Sequence, residues 1–428
     1  MIFQINFIIL IFIKYFGLSY IMNFIVIAFL FLCALGNIFQ NETWDSGLID
    51  MGNGNDMFYI HFKARNYLKG NNTPIILWLT GGPGCSGFYG LYMENGPYWI
   101  LRNGSLVYNP YSWNNNSDVI YIDQPIGTGF SKAANKSYLC HDENCVSRGI
   151  YIFLLKIYDI HPEFQKRPLY IIGESYGGKY VPSISAYLLR AQNPMLNLKG
   201  YAVGNGLTDP IHQVGVYPRY LYDNGIISSF QFLGSQVASI ACIVEILFNP
   251  NNHTLMCDLF WGHLRRIAKL INPYNIYINY TYGEQTQRMV DYLNLGNVQQ
   301  ELGVSGRKYS DCSYDPGNAL GDDFFRTIRS TIEFTVQSGI KVLIYAGDYD
   351  FECNWESNRN YLKFVNWDGK KEFNKQKMQK WMIGTEEAGE FISYKNLKFL
   401  RFYRSGHMVP MDKPMESLQL VNDFIEAI

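Results

Sequence analysis

The sequence predicts an α/β protein built on a central, mostly parallel sheet with helices on both faces, and three observations carry that prediction. Short apolar, β-branched or aromatic runs recur along the chain and end in or near turns. Helix-like stretches lie between several of them, as a parallel sheet requires. One run leads straight into Gly173-Glu174-Ser175-Tyr176-Gly177 and a further helix-like stretch, the order of a strand, a sharp turn and a helix.

The first 36 residues are of different composition. Two apolar runs, at 5–13 and 24–35, are separated by Lys14 and a few polar residues, and neither clearly spans a bilayer alone. From Met22 to Ala34-Leu35-Gly36 the chain has the apolar core and small-residue exit of a secretory signal peptide, without a positive n-region. Residues 1–36 are therefore expected to be a leader starting at Met22, and 37–428 the working domain; a retained membrane anchor is the alternative. Sequons at Asn41, Asn71, Asn103, Asn115, Asn135, Asn252 and Asn279 accord with an extracytosolic chain.

Strand-like runs follow at 75–79 before Gly81-Gly82, at 119–122, at 169–172 before Gly173, at 201–203 before Gly204, at 342–345 before Gly347, and at 397–403. Helix-like stretches cover 147–158, 181–191 and 322–337. The segment from about 211 to 311 breaks the alternation with Tyr- and Asn-rich stretches, two cysteines and helical pieces at 230–241 and 260–270, and reads as an inserted cap. Pro414 starts a last amphipathic helix running to 428.

With 48% hydrophobic and 17% charged residues the 428-residue chain buries a large core. A net charge of -1 without a block of like charges gives no footprint for nucleic acid or an anionic membrane. Loss of the leader removes Cys33 and leaves seven cysteines, enough for three bridges and one free thiol.

A serine hydroxyl needs a histidine base oriented by a carboxylate. In α/β-hydrolase folds these follow in the order Ser, acid, His, each on a loop after a later strand. Asp348 and Asp350 both follow the run at 342–347, and His407 follows 397–403 in the turn-rich Ser405-Gly406-His407-Met408-Val409-Pro410. The other six histidines, His61, His141, His161, His212, His253 and His263, read as surface or core residues. No His-Glu-x-x-His is present, and Cys140-His141 near Cys145 lacks zinc spacing, so neither metal nor cofactor is expected. Gly81-Gly82-Pro83-Gly84 lacks the Gly-Lys-Ser/Thr of a phosphate loop. It suits backbone amides fixed beside Ser175, where the N–H groups of Gly82 and Tyr176 face a tetrahedral oxyanion.

An ordered series of motifs resembles the serine carboxypeptidase family. The series is Leu77-Trp78-Leu79-Thr80-Gly81-Gly82-Pro83-Gly84-Cys85-Ser86-Gly87, Met93-Glu94-Asn95-Gly96-Pro97, Asn109-Pro110-Tyr111-Ser112-Trp113-Asn114, Asp123-Gln124-Pro125-Ile126-Gly127, the Ser175 elbow, Gly204-Asn205-Gly206-Leu207-Thr208-Asp209-Pro210, Tyr345-Ala346-Gly347-Asp348-Tyr349-Asp350 with Cys353-Asn354, and Gly406-His407-Met408-Val409-Pro410. The resemblance implies Ser175, Asp350 and His407 as the triad, choosing Asp350 over Asp348, and Gly82 and Tyr176 as oxyanion donors. It implies recognition of a substrate's C-terminal carboxylate around Trp78, Thr80, Gly81, Glu94 and Glu174. Two carboxyls beside a third cannot all be ionised, so at least one keeps a proton and activity should favour acidic pH.

Thr80 departs from the family's Asn, and its hydroxyl offers a single donor. Threonine here is similar to relatives that became acyltransferases, but those carry Asp before the nucleophile where this chain has Glu174. Glu352, Cys353 and Met408 are candidate pocket residues, with Glu352 suited to a basic side chain. By resemblance Cys85 pairs with Cys312 and Cys353 stays free; Cys242 with Cys257 and Cys140 with Cys145 are paired by proximity along the chain. The expected function is release of C-terminal residues from peptides or proteins, in a vacuole or lysosome or outside the cell, with no nucleic acid and no stable membrane partner after leader removal. The alternatives are an acyltransferase or esterase on the same triad, or a silent binding or protective homologue.

Overall fold

The computed structural model describes residues 38–67, 72–249 and 255–426, so the expected leader, the sequons at Asn71 and Asn252 and His253 lie outside the described residues. Of one compact unit, Met1–Asn41, only the turn at 38–41 is described; the second, Glu42–Ile428, holds every strand and helix named below.

Ten strands form one sheet: β1 (Trp44–Gly52), β2 (Asn55–Phe62), β3 (Ile75–Leu79), β6 (Asp118–Ile122), β7 (Pro168–Ser175), β8 (Asn197–Gly206), β9 (Lys341–Gly347), β10 (Gln379–Ile383), β11 (Glu386–Tyr394) and β12 (Leu397–Phe402). A separate two-stranded ribbon, β4 (Tyr98–Ile100) and β5 (Leu106–Tyr108), precedes β6. The spatial order is β1-β2-β6-β3-β7-β8-β9-β12-β11-β10. The strands from β6 to β12 run parallel, and an antiparallel hairpin closes each edge. The central strands are the apolar runs of the sequence, and β3 and β6 are buried along their whole length. Neither edge hairpin stood out in the sequence.

Among the described residues, helices of nine residues or more are α1 (Glu143–Ile160), α2 (Gly177–Ala191), α3 (Ser229–Phe248), α4 (Leu255–Ile267), α5 (Gly283–Leu293), α6 (Arg329–Gln337) and α7 (Pro414–Glu426). One sheet face, with Leu77, Ile171, Val203 and Ile344, packs on Phe153 and Ile157 of α1, Val181 and Ile184 of α2, and Ile332 and Val336 of α6. Each such fully buried side chain contributes about 2 kcal/mol. Phe424 of α7 meets Tyr170 with ring centroids 5.6 Å apart.

Helix limits differ from the sequence reading where tertiary bonds replace local ones. α2 starts at Gly177 rather than at 181 although Pro182 lies inside it; the proline leaves the Gly178 carbonyl without its helical donor, and the Thr208 hydroxyl supplies one at 3.1 Å. The expected helix at 322–337 is broken, and only Arg329–Gln337 is α-helical, because Asp323 turns its carboxylate and carbonyl to the buried Lys179 ammonium. Residues 207–340, joining β8 to β9, contain no strand among the described residues, and the expected cap at 211–311 falls within them.

The β1–β2 hairpin is tied to the sheet by charge. His61 is fully buried; its Nδ1 lies 2.8 Å from Asp45 Oδ1 across the hairpin and its Nε2 3.2 Å from Asp118 Oδ2 on β6. Arg167 Nη2 lies 3.0 Å from Asp118, and His161 Nε2 lies 3.1 Å from Asp45. Asp45, His61 and His161 converge closely enough to resemble a metal site. Both ring nitrogens of His61 already face carboxylates at hydrogen-bond distance, which is the arrangement of an ion network instead.

Candidate active site

Ser175 ends β7, separated by one residue from the start of α2, with φ at +63°. A left-handed serine is strained, and the surrounding packing holds it. The loop after β3 approaches so closely that a Cβ on Gly81 would stand 2.4 Å from the Tyr176 nitrogen and 2.8 Å from Ser175 Cβ, which only glycine avoids. Gly82, at φ +109°, follows in a conformation equally suited to glycine, and its amide lies on the same loop beside the elbow.

Asp350 follows β9 and His407 follows β12. His407 Nδ1 is 2.8 Å from Asp350 Oδ2, and the Nδ1–H donated there leaves Nε2 as the free acceptor. Asp350 Oδ2 also accepts from Asn205 Nδ2 at 2.7 Å and from the Cys353 amide at 3.0 Å. Burial pulls the His407 pKa down, but the Asp350 carboxylate and its hydrogen bond outweigh this and hold it above the ordinary histidine value. Asp348 instead turns outward to Arg401 and the Arg404 amide.

Residues 273–276 of the β8–β9 connection stitch these loops together. The Tyr274 carbonyl accepts from the His407 amide at 2.7 Å, and its ring lies edge-on to the imidazole at 4.8 Å. The Pro273 carbonyl accepts from the Phe351 amide at 3.0 Å, the Ile276 amide donates to Tyr349 at 2.9 Å, and Asn275 Nδ2 donates to Asp412 at 3.0 Å.

Ser175 and His407 open on a cavity of about 430 Å³ that Thr80, Gly81, Gly82, Glu94, Glu174, Tyr274 and Met408 also line. Glu94 and Glu174 are 1% and 4% exposed and hydrogen-bonded to each other. Burial, above all, pushes Glu94 up to about 7 and Glu174 well above the carboxyl range, with the Glu94 charge adding to the second shift. The pair thus holds at least one proton at neutral pH and presents a carboxyl donor. Trp78 does not line the cavity. It is fully buried and edge-on to Trp113, and its indole N–H donates to Thr80 Oγ1 at 3.1 Å, leaving the threonine hydroxyl proton free to point outward.

A second cavity, of about 610 Å³, meets the first at Gly82, Ser175 and Tyr274 and is lined by Tyr176, Tyr217, Asp258, Arg265, Glu352 and Cys353. Glu352 Oε1 stands 3.8 Å from Arg265 Nη2, so its charge is already partnered. Burial raises the Cys353 thiol well above its ordinary pKa, which makes it an inert wall residue. Among the described residues the disulfides are Cys85–Cys312, Cys140–Cys145 and Cys242–Cys257, with Cys353 free. The first fastens the residue after the glycine loop to Cys312 within the β8–β9 connection.

Asn205, at φ +42°, also accepts from the Gly347 amide through Oδ1 and so locks the acid loop to β8. Sequence reasoning assigned it no role, although its flanking glycines marked an unusual backbone. Tyr274 carried no signal, since a tyrosine in a tyrosine-rich segment is unremarked until the chain folds.

The serine carboxypeptidase family model matches residues 38–427. The chain is 37% identical over 380 residues to a serine carboxypeptidase-like protein of Oryza sativa subsp. japonica, covering 85% of this chain and 88% of that one. It is 33% identical over 414 residues to carboxypeptidase Y of Candida albicans, covering 89% and 73%. Among solved structures, Kex1(delta)p, a prohormone-processing carboxypeptidase from Saccharomyces cerevisiae, shares the fold with a TM-score of 0.80 at 24% identity, covering 90% of this chain and 91% of that one.

Proposed function

The chain belongs to the serine carboxypeptidase family and is a serine-type carboxypeptidase with peptide or protein substrates; from that premise we propose that it releases C-terminal residues through an acyl-enzyme formed on Ser175, with an acidic optimum set by carboxylate recognition. The observation that carries this reading is the Glu94–Glu174 pair facing the same cavity as Ser175 and His407. A protonated carboxyl pair beside a nucleophile binds a free carboxylate and orients the last peptide bond.

Ser175 Oγ attacks the last peptide carbonyl and passes its proton to His407 Nε2, while Asp350 holds the imidazolium. The N–H groups of Gly82 and Tyr176 take the oxyanion. Collapse breaks the C–N bond, His407 protonates the leaving amine, and the terminal amino acid departs. Water, deprotonated by His407, then frees the acyl group from Ser175. Thr80, primed by Trp78, donates its hydroxyl proton to the substrate carboxylate. The three disulfides accord with the expected secretory route to a vacuole, a lysosome or the outside.

The test is an N-blocked dipeptide at about pH 5, with and without an alcohol acceptor. Release of free amino acid that is lost in Ser175→Ala supports the proposal. Ester formation with little amino acid release favours acyl transfer, and a folded protein that a serine-reactive fluorophosphonate fails to label overturns both.

A further inference from the structure

Helix α3 buries one narrow face, Ser235, Ser239, Cys242 and Ile246, and Cys242–Cys257 pins it to α4. Its opposite face is apolar and open. Phe230, Leu233, Val237, Ile240, Val244, Leu247 and Phe248 are between 45 and 87% exposed. The first six fall at spacings of three and four residues in strict alternation, the a and d positions of a coiled-coil seam sustained over five turns. Core packing within one chain asks for no such pattern on a solvent face.

We propose that this face is a dimer interface, in which α3 packs against α3 of a second copy of the chain about a two-fold axis. Three features select that occupant. A 3–4 spacing matches another helix, and a two-fold axis pairs a stripe with itself. Gly234 and Ala241 flank the seam and let two helices approach closely. The area also suffices: at roughly 200 Å² for a large apolar side chain, the seven present roughly 900 Å², against about 800 Å² per partner in a standard stable interface.

Charge points the same way. The only charged residue of α3, Glu245, accepts from the Met256 and Cys257 amides at 2.6 and 3.3 Å and faces its own chain. The seam is therefore free of like-charge repulsion against its own copy and offers nothing to a charged partner. Helix α3 is long and apolar enough to cross a bilayer, but its buried face already lies in protein, and it has no Lys or Arg to bind lipid headgroups.

Sedimentation of the purified protein at about 10 μM, far above a typical dimer dissociation constant, reads the proposal. The wild type should run near twice the mass of one mature chain, as read by mass spectrometry of the same sample. Val237→Glu/Ile240→Glu should run as a monomer, its dimer weakened more than about 100-fold because the buried unpaired charges enter the interface from both copies. Its circular dichroism and activity per chain should match wild type, showing that it folds. Ile240→Cys, near the middle of the seam, should join two chains by a disulfide under mild oxidation. A monomeric wild type, a dimer undisturbed by the double substitution, or monomers that pellet with phosphatidylcholine–phosphatidylserine vesicles would each overturn the proposal.

Discussion

The carboxyl pair gives the sharpest prediction, because its charge should appear in KM and the charge of the base in kcat. Glu94 titrates at about 7 and Glu174 well above the carboxyl range. Below pH 7 the pair is neutral and donates to the substrate carboxylate; as pH rises through 7 it becomes anionic and repels it. KM should therefore be lowest in acid and climb roughly fivefold from pH 7 to pH 8, since the protonated fraction of a group with a pKa of about 7 falls from about one half to about one eleventh over that unit. The ceiling is the repulsion of two charges about 4 Å apart at an effective dielectric of 20, about 4 kcal/mol or roughly a thousandfold. Glu94→Gln/Glu174→Gln keeps shape and hydrogen bonds but cannot titrate, so its KM should stay flat from pH 5 to pH 8. A blocked peptide ending in an amide has no carboxylate to repel and should show a flat KM even with the wild type. His407, held above the ordinary histidine value, lowers kcat as pH falls, and separate fits keep the effects apart. A wild-type KM that is level through pH 7, or that climbs equally for acid and amide substrates, refutes the reasoning.

Other sites give further expectations. Gly81→Ala should cut kcat at least about 100-fold, since its Cβ would displace the Tyr176 amide; wild-type turnover refutes it. Asn205→Asp puts a second carboxyl 2.7 Å from Asp350 and should lower kcat more than about tenfold with KM unchanged, as read by steady-state kinetics. Thr80→Asn should lower KM for carboxylate-ended substrates about three- to tenfold by adding a donor, leaving amide-ended ones unchanged. His61 has a pKa raised above 6.5: burial opposes this, but the Asp118 and Asp45 carboxylates prevail. Its contribution to stability is full below pH 6.5 and lost as pH rises through the raised value. His61→Leu should cost about 3 kcal/mol at pH 5 and clearly less at pH 9, measured as thermal midpoints; equal losses contradict the ion network.

The parallel centre of the sheet was legible because its strands are buried on both faces and spell out continuous apolar runs, with 75–79 matching β3 residue for residue. The edge hairpins were not. Half-exposed strands such as β11, with Glu386, Glu387 and Glu390, read as polar loop until a neighbour pairs with them. Ser175, His407 and two candidate aspartates, Asp348 and Asp350, could be read because each follows a strand end, and the resemblance alone chose Asp350. Which aspartate faces the histidine depends on Asn205 and Cys353, and no spacing rule reports that. Trp78 shows the opposite limit: its place beside the carboxylate residues in sequence says nothing of a fully buried side chain that reaches the cavity only through its hydrogen bond to Thr80. Of α3 only residues 230–241 read as helix-like in the sequence, and only exposure in the fold separates its apolar stripe from core.

The stitching at residues 273–276 bears on how such enzymes diversify. A lid that merely shades a pocket is a module, replaceable by recombination while the chemistry beneath it persists. Here the same few backbone atoms that roof the cavity also fix the height of the base and the acid. Lineages or designers seeking a new preference must therefore edit the roof residue by residue around Pro273 and Tyr274, because exchanging it whole would take the register of the catalytic loops with it.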